Sequence, residues 1–143
     1  MTQSSTKSRK FVLAERPKGE TNDNTLRLEI GDMPIPGKGE MLLRNEYLSL
    51  DPYMRGRMSG APSYAAPVEI GAVMIGGTVA QVVSSDVDGF AAGDWVVAFG
   101  DWQDYALSDG TGVINMGKDP KGTDGKPLVS GKKVTGFTNT EED

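Results

Sequence analysis

Glycine and proline punctuate this chain so closely that short strands and turns are favoured over long helices. The 143 residues contain 19 Gly and 8 Pro, and the apolar runs between them are short. One mainly β domain is the reading. "TLRLEI" (25–30) sets Leu26, Leu28 and Ile30 on one face, the period of a half-buried strand. "FVLA" (11–14) precedes it, and "EMLLRNEYLSL" (40–50) is the longest strand candidate. Pro52 ends that run, because proline cannot donate to a ladder. Asp51 is placed to cap a short helical turn with Pro52 at its first position.

The stretch 59–71, "SGAPSYAAPVEIG", has no periodicity and reads as a surface loop. "AVMIGGTVAQVVSS" (72–85) is strand-like on both sides of Gly76-Gly77, which suggests a bend at a barrel corner. "DWVVAF" (94–99), "WQDYALS" (102–108) and "GVINM" (112–116) complete about seven strands. Such a set predicts a small, partly open β-barrel with short helical turns. Residues 1–10 are polar and read as a flexible N-terminus, followed by a domain over 11–118. Residues 119–143 turn richer in Lys and Gly, with one further strand candidate in "KKVTGF" (132–137).

Two absences narrow the chemistry. The chain has no Cys and no His. Disulfides, thiolate nucleophiles, Cys/His metal sites and Ser-His-Asp triads are therefore excluded, and no metal ligands are assigned. A net charge of −5 disfavours nucleic acid and anionic membrane surfaces as partners. No apolar run is long enough to span a bilayer, and the basic Lys7, Arg9 and Lys10 precede no signal-like segment. A soluble, cytoplasmic protein is expected.

Glycine-rich motifs do not reach a nucleotide-binding pattern. "GAVMIGGT" lacks the lysine of a phosphate loop, and "GTGVIN" has Asn115 where a third glycine would stand. Asp101 and Asp104 flank Trp102 and Gln103 as candidate paired carboxylates, though exposed turn carboxylates are commoner. Met41, Met54, Met58, Met74 and Met116 read as packing residues. Tyr53 and Tyr64 sit beside loop breaks. Each offers a flat apolar ring and a hydroxyl donor suited to a carbonyl or a developing enolate, or to capping the barrel.

"EYLSLDPYMRGRM", "IGGTVAQVV" and "FAAGDWVVAFGDWQDY" together resemble the N-terminal GroES-like domain of the zinc-independent medium-chain dehydrogenase/reductases. "LSLDPYMRGRM" is a signature of the NADP-dependent alkenal, prostaglandin and curcumin reductase branch. The resemblance covers roughly residues 9 to 118. It implies a barrel that supplies one wall of a cleft, with a separate Rossmann lobe binding NADPH. It implies hydride transfer to the β-carbon of a small-molecule α,β-unsaturated carbonyl. On the matching positions it assigns Tyr53 and Tyr64 as catalytic tyrosines, with Asp51, Pro52, Met54 and Arg55 in the loop near the cofactor. The Rossmann lobe that should follow residue 118 is absent. "GKPLVSGKKVTGFTNTEED" is similar instead to a stretch of the ThiJ/PfpI-like family, so the chain reads as chimeric or truncated and catalytically incomplete alone. No tight NADPH binding is expected from it. "KKVTGF" is placed to repair the open barrel edge, with a disordered tail as the alternative, and homo-oligomerisation through the uncovered lobe face is expected.

Overall fold

The computed structural model describes residues 6–60 and 66–120. Tyr64 and the segment containing "KKVTGF" lie outside the described residues. Seven strands and one short helix follow in the order β1 (Lys7–Leu13), β2 (Leu26–Asp32), β3 (Met41–Leu48), α1 (Tyr53–Arg57), β4 (Thr78–Ser85), β5 (Trp95–Ala98), β6 (Tyr105–Ser108) and β7 (Ile114–Gly117). The mainly β expectation holds. The strands form two sheets that do not close, one of β1 and β2 and one in the order β6-β3-β4-β5-β7. All strand pairings are antiparallel. No Rossmann lobe occurs among the described residues.

The five-stranded sheet has its own apolar core. Alternation in β4 turns Thr78, Ala80 and Val82 inward, and Val96 and Ala98 of β5 do the same. They meet Met41 and Leu43 of β3, with Val87, Phe90 and Val113 packed around them. A second cluster gathers Leu13, Met54, Met58, Val68 and Met74, flanked by Leu26, Ile75 and Trp102. Four of the five packing methionines are buried, which suits a flexible side chain filling irregular space between sheet and helix.

Backbone bonds join the two sheets. Phe11 N–H donates to Trp102 O and Leu13 N–H to Ala72 O, both at 2.9 Å. Met74 N–H donates to Phe11 O, and Trp102 N–H to Met74 O. Residues 72–77 therefore act as a link, and β4 begins only at Thr78. The bend expected at Gly76-Gly77 is a close approach: a Cβ on Gly76 would lie 2.8 Å from Leu48 Cδ1 and 3.1 Å from Met54 Cε.

Three expectations are corrected. β1 starts at Lys7, because pairing with β2 orders the polar residues before "FVLA" and Ser8 is buried there. In β2 the apolar alternation is present but Leu28 and Ile30 are 47% and 63% exposed, since the two-stranded sheet meets the core mainly through β1. Asp51 does not cap α1. Pro52 is the N-cap residue, no side chain caps the helix, and the Asp51 carboxylate accepts from Ser49 Oγ at 2.8 Å.

Candidate cleft at the strand ends

Where β3 ends, the chain turns sharply into α1, and Ser49 N–H donates to Gly77 O at 2.9 Å. That tie brings the 49–53 turn against the start of β4. Between them and β5 lies an open cleft of about 530 Å³. Tyr47 and Leu48, Asp51 and Tyr53, Val97 and Phe99, and Ile114 contribute its side chains. Its polar groups are few, among them Ser49, Asp51, Thr78 and the tyrosines. Tyr53 is 42% exposed at this wall and Phe99 is 76% exposed. A concave, largely apolar site with sparse polar groups is the form small-molecule sites take.

The structure separates the loop residues that the sequence grouped. Asp51 and Tyr53 reach the cleft. Met54 faces the other way and is buried in the second core cluster. Pro52 is exposed at the head of α1. Arg55 donates through Nε to Gly19 O at 3.0 Å and through a terminal nitrogen to Gly19 O and Pro17 O, so its charge anchors the 17–19 loop. Met54, one residue after Tyr53, faces the core because neighbouring residues of a helix point in different directions.

Asp101 and Asp104 do not form a carboxylate pair. Asp104 accepts two N–H groups of the Arg9 guanidinium fork at 2.9 and 3.0 Å, plus the Arg9 backbone N–H at 2.8 Å. Burial pushes its pKa up, but those bonds prevail and hold it below the ordinary value. Asp101 is half-buried and accepts from Gly76 N–H at 3.1 Å. Burial raises its pKa, opposed by that bond. Neither lines the cleft with Tyr53.

Sequence reasoning missed Tyr47, Val97, Phe99 and Ile114 as cleft residues. The alternation in "WVVAF" carried a usable signal: Val96 and Ala98 face one side, so Val97 and Phe99 share the other. Pairing of Val97 with Ile114 was not readable, because it depends on which strands become neighbours.

The family model described as the N-terminal domain of oxidoreductase matches residues 9–116. This chain belongs to that family. The chain is 47% identical over 138 residues to the NADPH-dependent curcumin reductase of Escherichia coli (strain K12), covering 96% of this chain and 39% of that protein. Prostaglandin reductase 1 of Rattus norvegicus is 33% identical over 106 residues, covering 74% of this chain and 30% of the relative. The crystal structure of CurA from Vibrio vulnificus in complex with NADPH is 54% identical with a TM-score of 0.75, covering 79% of this chain and 34% of that one. The chain thus spans 39% or less of these relatives' length. The fold is that of the GroES-like N-terminal domain of NADP-dependent medium-chain reductases. Among the described residues no helix is long and apolar enough to cross a membrane.

Proposed function

We propose that this chain is the substrate-side domain of an NADPH-dependent enone reductase and binds small α,β-unsaturated carbonyls of the alkenal or curcumin type. The observation that carries this reading is the open apolar cleft with Tyr53 on its wall. In it the Tyr53 hydroxyl donates to the carbonyl oxygen of the ligand. That bond strengthens as negative charge grows on the oxygen, which favours an enolate-like state. A ligand seated on the apolar lining of Val97, Phe99 and Ile114 displaces water from these residues, which raises the worth of the bond. Tyr64, outside the described residues, is proposed as the second tyrosine.

The described residues do not fit the phosphates of NADPH. No Lys or Arg lines the cleft, and Arg55 is engaged with the carbonyls of Gly19 and Pro17. Of the loop residues assigned to the cofactor, only Asp51 faces the cleft. Hydride transfer requires reacting atoms held within about 3–3.5 Å. We therefore take the chain to be insufficient for reduction alone, and active only when a nucleotide-binding lobe completes the cleft. The greater length of the relatives supports this second part. The uncovered apolar surface also makes self-association part of the proposal. The family match ends at residue 116. A ThiJ/PfpI-like origin for residues 119–143 is part of the proposal and rests on their sequence alone; the alignment with the Escherichia coli reductase, at 96% of the chain, extends into them and counts against it. A metal-free, cytoplasmic protein completes the reading.

Two measurements test it. An NMR titration with benzylideneacetone should show saturable binding, weakened roughly fivefold in Tyr53→Phe for the loss of about 1 kcal/mol of hydrogen bond. Absence of binding would overturn the cleft assignment. NADPH oxidation by the chain alone, with the same enone, should stay at the rate of a protein-free control. A saturable rate would show a cofactor site and refute the insufficiency.

A further inference from the structure

Asn45 is a polar residue in the middle of β3 with only 6% exposure. A buried amide is unfavourable unless its donors find partners. Its donors all go to one loop. Asn45 Nδ2 donates to Gly100 O at 3.0 Å and to Gln103 O at 2.8 Å, with Asp101 O at 3.5 Å. Its backbone N–H donates to Asp104 O at 2.8 Å. Gly100 O also accepts from Gln103 Nε2, and Gly100 N–H donates to the buried Thr78 Oγ1, each at 3.0 Å. The fit leaves no space: a Cβ on Gly100 would lie 2.3 Å from Asn45 Oδ1 and 2.7 Å from Thr78 Oγ1. The β3–β4 register breaks between Asn45 and Tyr47, so the same irregularity separates the buried amide from the cleft tyrosine.

Phe99 immediately precedes this anchored loop. Its ring is 76% exposed and lines the cleft. Ring atom Cε1 lies 3.9 Å from where a Cβ on Gly77 would stand, so the ring sits beside the glycine bend. So exposed a side chain has little core packing to fix it, which leaves the direction in which it departs from the flanking backbone as the main constraint on the ring. We propose that Asn45 is a positioning residue for ligand binding, its amide setting the 100–103 backbone and thereby the Phe99 ring that closes one side of the cleft. This rests on the cleft reading above. Asn45 does not line the cleft itself, so its effect must pass through Phe99. A planar apolar enone, which stacks on a fixed ring, is the ligand class most sensitive to it.

The test is a double-mutant cycle in the full chain, read by benzylideneacetone titration, with a thermal melt to confirm folding. Asn45→Ser should weaken binding roughly five- to tenfold, and the same change in a Phe99→Ala background should weaken it no further. Fluorine NMR of fluorophenylalanine-labelled protein should show the Phe99 resonance shifted or broadened by Asn45→Ser without ligand. Equal affinity and an unmoved Phe99 resonance in folded Asn45→Ser would overturn the proposal. So would additive losses in the cycle. If Asn45→Ser fails to fold, Gln103→Ala replaces it: it removes the Nε2–Gly100 O bond from outside the cleft, and should likewise weaken binding and move the Phe99 resonance, an unmoved resonance with equal affinity overturning the proposal. A wild-type chain that binds nothing would refute the cleft reading instead, while the Phe99 resonance would still decide whether Asn45 positions the ring.

Discussion

Asp101 is the one non-glycine residue at positive φ among those described, at 65°. Asparagine tolerates that conformation as well as aspartate does, and its carbonyl would still accept from Gly76 N–H. Burial raises the Asp101 pKa above its ordinary value. The native state therefore favours the protonated form, and that stability is present at low pH and lost as pH rises through the folded pKa. Asp101→Asn should melt a few degrees higher than wild type at neutral pH, with the gap closing in acid. A lower melting temperature at neutral pH would mean that the carboxylate charge itself stabilises the bend. The placement of Tyr53 beside a strand break was legible at this scale, and the structure sets it on the cleft wall. The fates of Met54 and Arg55 were not, because they depend on which way one helical turn faces and on a carbonyl 36 residues away.

At the scale of elements, the "GDWV" stretch has a physical explanation. Gly93 sits at φ 93° and turns the chain into β5. Asp94 then accepts from Ala91 N–H, from Asn115 Nδ2 and from Lys118 Nζ, each at 2.9 Å. Those bonds, with Lys118 foremost, lower its pKa from 3.8 to about 2. A lowered carboxylate contributes stability above its unfolded pKa and loses it as pH falls through the folded value. Asp94→Asn should thus melt below wild type at neutral pH, and the two should converge as pH falls from near 3.8 toward 2. A constant gap across that window would assign the effect to packing. Gly76 presents a steric case. Gly76→Ala should destabilise by about 1–3 kcal/mol, measured by urea unfolding, because the added methyl meets Leu48, Met54 and Trp102. An unchanged midpoint would mean that these side-chain ends yield freely.

For the whole molecule, the decisive feature is an apolar surface around the cleft. Leu50, Phe99 and Ile114 are 65%, 76% and 62% exposed. Sedimentation velocity should show mass rising with concentration, and Phe99→Ser with Ile114→Glu should restore the monomer. A concentration-independent monomer in the wild type would refute self-association. Strand identity and the mainly β class followed from the sequence alone, because periodicity and glycine spacing are local properties. The split into two sheets, the burial of Met54, the exposure of Leu28 and Ile30, and the placing of Phe99 and Tyr53 on one cleft were decided only by the tertiary structure. Each depends on residues distant in the chain becoming neighbours, and a local pattern states which face is apolar without stating what, if anything, will cover it.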